Sequence, residues 1–176
     1  MKNLKVYFGS FALFLLLDQV VKELCRMKLV PNQSMNGPWP GIFEIKLTYN
    51  EGIAFGMFQG QGLLFAPVAL IITAYAMSFS MKHPKEPGWT HFAMGLLSAG
   101  AIGNLIDRVW AHKVTDMFWI RAINFPIFNV ADVAITFGAI LLGLRFLFEK
   151  KPAPAPVVVE EASVPLSEPT LDAPEP

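Results

Sequence analysis

Apolar residues run through this chain in four blocks, about Leu4–Leu24, Leu63–Met81, Trp89–Ile106 and Pro126–Phe148. Each meets or approaches the length of about 20 residues that a helix needs to cross a bilayer. Pro67 falls in the first turns of the second block, where a missing N–H costs little. Between the first two blocks, Gly41-Ile42-Phe43-Glu44-Ile45-Lys46-Leu47-Thr48-Tyr49 alternates apolar and polar residues, bounded by Pro38-Trp39-Pro40 and by Asn50-Glu51-Gly52. That period of two predicts a strand. The aromatics Trp39, Phe43, Tyr49, Phe55 and Phe58 suit a small sheet lying on a membrane surface.

Composition agrees: 53% of residues are hydrophobic and only 16% are charged, against about 25% charged in soluble domains. From Pro152 the chain turns to Pro, Ala, Val and Glu and carries no Lys or Arg. Residues 151–176 are therefore expected to be a disordered, acidic, Pro-rich cytoplasmic tail. With those acids set aside, the remainder is net basic. The first block resembles a signal peptide, with Lys2 and Lys5 ahead of its core, but has no small-residue cleavage site and is read as retained. Lys2, Lys5, Lys82, Lys85, Lys150 and Lys151 are expected on the cytoplasmic side. Both termini are then cytoplasmic, and the connections 26–62 and 107–125 lie outside.

Polar residues inside such blocks call for chemistry, since acids in apolar runs are costly and usually functional. Asp18 and Lys22, Asn104 with Asp107 and Arg108, and Asn129 with Asp132 each share a helix face by spacing. Asp116 lies in the connection before the fourth block. All fall near the outer interface. Asp18 with Lys22 and Asp107 with Arg108 also read as structural ion pairs, whereas Asp116 and Asp132 have no base at helical pairing distance. Two unpaired acids brought together in a poorly hydrated site share a proton and can act as acid and base toward one water. Ion coupling in a small proton-coupled transporter is the other reading of the same acids. Cys25 stands alone and reads as a packing residue, and His83 and His91 flank a short loop and read as solvated or interfacial. No nucleotide loop or zinc motif is present. Neither a metal, a cofactor nor a nucleic acid is expected.

Five segments together resemble the bacterial lipoprotein signal peptidases, or signal peptidase II: Asp18-Gln19 to Lys22; Asn50-Glu51-Gly52-Ile53-Ala54-Phe55-Gly56; Gly100-Ala101-Ile102-Gly103-Asn104-Leu105-Ile106-Asp107-Arg108; Val114-Thr115-Asp116 with Phe118; and Phe125-Pro126-Ile127-Phe128-Asn129-Val130-Ala131-Asp132. The resemblance implies an all-α membrane protein with four transmembrane helices and, within a domain of residues 1–150, an extracytoplasmic β-cradle (about 30–60) between the first two. It implies an aspartyl endopeptidase of the inner membrane that removes signal peptides just before a diacylglyceryl-modified cysteine, with membrane lipid as its surroundings and a monomer expected. Asp116 and Asp132 then take the catalytic positions, and Asp18, Asn50, Asn104, Asp107, Arg108 and Asn129 the supporting ones. Three departures from the family pattern stand out: Ala99 where a glycine is usual, Ile53 for alanine, and Met117 between Asp116 and Phe118.

Overall fold

The computed structural model describes residues 2–52 and 60–148. Its four helices are α1 (Lys2–Lys28), α2 (Ala66–Lys82), α3 (Gly88–Ala111) and α4 (Val130–Phe148), and its strands are β1 (Ser34–Trp39), β2 (Phe43–Asn50) and β3 (Val114–Ile120). The acidic tail, and Ile53 and Gly56 of the second motif, lie outside the described residues.

The chain is mostly helical with the small sheet expected beside its helices, here three antiparallel strands in the order β1-β2-β3, the third of which lies outside the expected bounds of about 30–60. The period-two run forms β2, and β1, which the pattern does not predict, pairs with it in a hairpin turning at Gly41, whose φ of 78° suits glycine. The third strand comes from the connection between α3 and α4 and pairs with β2. It shows no alternation in sequence, since its first four residues, Val114 to Met117, are all buried.

Among the described residues, three stretches are long and apolar enough to cross a membrane: Asn3–Lys28, Gly62–Lys82 and Val130–Phe148. The last two include, respectively, a 3-10 turn at Gly62–Phe65 that leads into α2, and α4 in full. Helix α3 differs in kind. It packs against each of the other three helices and buries residues nearly all around, among them Ala93, Ala99, Ala101, Gly100 and Gly103. Its low share of large apolar groups follows from that role, because small residues let backbones approach closely. A Cβ on Gly100 would strike the Ala131 carbonyl oxygen, and one on Gly103 would lie 2.5 Å from Asp18 Oδ2. Position 91 corrects another expectation: His91 is completely buried, one helical turn inside α3, while His83 is exposed and its ring stacks on Phe79.

The end of the bundle opposite the sheet is fastened by polar bonds. Asn3 Nδ2 donates to the carbonyls of Pro84 and Glu86, and Arg145 pairs with Glu86 at 2.9 Å. At the sheet's end, α3 stops where His112 turns left-handed (φ 57°) and donates its amide to the Arg108 carbonyl. That stop delivers the chain into β3 beside the last turns of α1 and α3.

Candidate active site

Helix α4 begins later than its apolar block. Residues 126–129 stay out of the helix, with Phe128 bridged to Phe118: Phe118 N–H donates to Phe128 O at 2.8 Å and Phe128 N–H to Phe118 O at 3.0 Å. Asn129 therefore lands immediately before the helix and caps it. Its Oδ1 accepts the Asp132 amide at 2.9 Å, while Asp132 Oδ2 accepts the Asn129 amide at 3.1 Å. This is a reciprocal capping box, which satisfies two otherwise orphan amides at a helix start. The same box fixes the Asp132 carboxylate.

Asp116 approaches from β3. Alternation along the strand places Asp116 on one face with Phe118 and Ile120, and Thr115, Met117 and Trp119 on the other. Met117, the inserted residue of the motif, is thus turned away from the Asp116 face and fully buried. Asn129 Nδ2 joins the two acids, donating to Asp116 Oδ1 at 2.7 Å and to Asn104 Oδ1 at 3.0 Å. Asn104 Nδ2 in turn donates to Asp132 Oδ1 at 2.8 Å. Burial, followed by the neighbouring charge of Asp132, pushes the Asp116 carboxyl up to about 7, against the pull of hydrogen bonds from Asn129 and Asn50.

A cavity of about 510 Å³ opens beside these groups. Asn50, Asn104, Arg108, Asp116 and Asp132 form its polar part, and Ile120, Phe125, Phe128, Val133 and Phe137 are among its apolar lining. Arg108 reaches across the mouth, donating to the carbonyls of Asn104 and Gly52, each at 3.3 Å.

Asp18 and Asp107 are not part of that lining; they are buried behind it, around Lys22, which is itself completely enclosed. Lys22 Nζ lies 2.9 Å from Asp18 Oδ2, 3.3 Å from Asp107 Oδ2 and 2.9 Å from Asn104 Oδ1. The Asp18–Lys22 pair is as the spacing suggests. Asp107, by contrast, pairs not with Arg108 but with Lys22 and, at 2.8 Å, with Arg26. Asp18 Oδ1 also accepts the Ala131 amide at 2.9 Å, tying α1 to the start of α4. A buried ammonium shared by two carboxylates and an amide is a framework for the site, since a charge so enclosed persists only when paired.

Sequence reasoning missed Arg26, because the first apolar block ends at Leu24 while α1 continues to Lys28. The signal was available: Arg26 lies four residues beyond Lys22, on the same helical face.

A family model described as signal peptidase (SPase) II matches residues 10–148. Among curated relatives, the lipoprotein signal peptidase of Gloeobacter violaceus is 34% identical over 154 residues, covering 88% of this chain and 87% of the relative. That of Streptococcus pneumoniae is 37% identical over 134 residues, covering 76% and 87%. A solved structure described as a bacterial membrane enzyme at 2.3 Å superposes with a TM-score of 0.75 at 28% identity, covering 84% of this chain and 93% of that one. A second, at 1.9 Å, gives 0.73 at 29% identity, covering 82% and 94%.

Proposed function

The chain belongs to the signal peptidase II family, and on that premise we propose that Asp116 and Asp132 are its catalytic dyad. The family places the protein among multi-pass membrane aspartic peptidases that remove signal peptides from prolipoproteins; nothing favours the transporter reading. The observation that carries the dyad is Asn129, whose side-chain Nδ2 donates to Asp116 while its backbone amide donates to the Asp132 carboxylate and its Oδ1 accepts the Asp132 amide.

Burial holds the Asp116 carboxyl up at about 7, which favours it as the holder of the one proton the pair shares, given to the oxygen of the attacked carbonyl. Asp132, which accepts two N–H groups, takes the proton of the water that attacks the carbonyl carbon. The tetrahedral intermediate then collapses as the C–N bond breaks, Asp132 giving its proton to the leaving amine and a gem-diol hydroxyl returning one to Asp116. The two acids titrate as a pair, so the pH limits of activity belong to both. Asn50 and Asn104 supply amide groups to the substrate backbone beside the acids, and Arg108 closes the mouth. Lys22, Asp18 and Asp107 hold the floor.

The substrate is a prolipoprotein with a diacylglyceryl-modified cysteine, whose scissile bond meets the acids at the outer interface. Helix α3 is the fourth span: 24 residues reach about 36 Å at 1.5 Å per residue, and neighbours rather than lipid cover its faces. Both termini and the 83–87 loop are cytoplasmic, the sheet and dyad are on the outer side of the inner membrane, and the enzyme acts as a monomer among membrane lipids.

The test is cleavage of a purified diacylglyceryl-modified prolipoprotein in detergent by the native chain, Asp116→Asn and Asp132→Asn, with unlipidated substrate alongside. Cleavage before the lipidated cysteine, lost in both variants although they stay folded, is expected. Turnover by either variant above trace levels sinks the dyad.

A further inference from the structure

Arg26 lies in none of the motifs, yet its guanidinium reaches from the last turns of α1 to the entry of β3. Its Nε–H donates to Thr115 Oγ1 at 3.0 Å, and one NH2 group donates to Asp107 Oδ1 at 2.8 Å. Asp107 Oδ2 accepts the backbone amide of Thr115 at 2.9 Å. The three bonds close a ring around the residue that precedes Asp116, joining α1, α3 and β3 at one point. A guanidinium can do this because its donors sit in a rigid planar fork, which the single ammonium of lysine lacks. The remaining partner, Glu23, is 3.0 Å away and its side chain is 58% exposed, so that pair contributes little.

We infer that Arg26 is a positioning residue for peptide cleavage, holding the Thr115–Asp116 segment so that the Asp116 carboxyl meets the substrate carbonyl in line. The inference rests on Asp116 being one of the two catalytic acids. Asp116 itself is steered by Asn129 and Asn50 at its carboxylate; Arg26 fixes the backbone that carries it. Slack in that backbone lowers turnover, since a misplacement of about 1 Å costs about 100-fold. Substrate affinity is set by the cavity, which Arg26 does not line. The signature is thus a fall in kcat with KM held.

The full chain in detergent is assayed as Arg26→Ala, Arg26→Lys, Thr115→Val, the Arg26→Ala/Thr115→Val double variant and Glu23→Gln, each with its melting temperature. Arg26→Ala is expected to lower kcat by about 10- to 100-fold with KM within about twofold. Arg26→Lys should recover only part of the loss, and it carries the test alone if Arg26→Ala does not fold. Thr115→Val should reproduce part of the defect, and the double variant should be little worse than Arg26→Ala, because residues in one network are not additive. Glu23→Gln should leave kcat unchanged. A lowered melting temperature with native kcat in Arg26→Ala, or additive losses in the double variant, overturns the inference. Asp116→Asn separates the two readings: if it is inactive while Arg26→Ala turns over normally, only the role of Arg26 fails; if it cleaves, the dyad fails first.

Discussion

Replacing Asn129 with serine should move the alkaline limb of the pH profile upward. The Asn129 side-chain amide donates to Asp116 at 2.7 Å, and a hydrogen bond to a charged group is worth about 1.5–3 kcal/mol. One pKa unit corresponds to about 1.4 kcal/mol, so the Asp116 carboxyl, which burial already pushes up to about 7, should rise by about one to two units more. The sign follows from which form the bond favours. Asn129 stabilises the carboxylate, its loss disfavours ionisation, and Asp116 then keeps its proton to higher pH. The alkaline limb of kcat/KM, where the acid of the dyad loses that proton, shifts up by the same one to two units, even as the maximum rate falls. Serine retains an oxygen to accept the Asp132 amide, so the helix cap survives; Asn129→Ala should show the same shift and also melt earlier, by about 1 kcal/mol of lost capping. The assay is cleavage of lipidated prolipoprotein across pH 5 to 10 in one detergent. A limb that stays in place or moves down in both variants refutes the assignment of Asp116 as the acid.

Lys22→Met removes the cation shared by Asp18 and Asp107; breaking such a buried pair costs about 3–5 kcal/mol, which thermal unfolding in detergent should register as a large drop in melting temperature. Gly103→Ala puts a methyl 2.5 Å from Asp18 Oδ2 and should destabilise by about 1–3 kcal/mol, with cleavage falling as the α1–α3 contact is pushed apart; unchanged melting would contradict the close packing described. Glu44 is held down to about 2 by the Ser34 hydroxyl, the Gly41 amide and Arg121, so its stabilisation is complete above pH 4.5 and fades as pH falls toward 2. The melting difference between the native chain and Glu44→Gln should follow that window and vanish at its acid end.

The three strongly apolar helices and strand β2 were legible because one physical pattern dominates each, whereas β1 (Ser34–Trp39) carries no such pattern. Helix α3 was legible in length; its partners were not, since Gly, Ala and Ser positions do not say which neighbour they admit. The connection between α3 and α4 was the opaque part. Val114 to Ile120 offers no alternation, and pairing with Thr48 and Tyr49 some 65 residues earlier leaves no local trace. Asp107 was assigned to the wrong base for a similar reason: Arg108 is its neighbour in sequence, but consecutive helical residues point apart, and α1 supplies the cations. The acids and asparagines themselves were all legible as motif residues. What the sequence could not convey is that Asn129 caps α4 and bonds Asp116 at once.

Asp116 and Asp132 hang on one continuous stretch, residues 116–132, whose two arms are stitched together by the Phe118–Phe128 bridge. Their separation is thus a local property of that stretch. Bilayers differ in thickness, and helices answer by tilting at modest cost. Helix α1 is bonded at both ends of the stretch, through Asp18 Oδ1 to the Ala131 amide and through Arg26 to Thr115, so its tilt reaches both arms together. An enzyme built this way carries its two acids as one stitched unit, and a bilayer that tilts α1 shifts that unit as a whole rather than parting the acids.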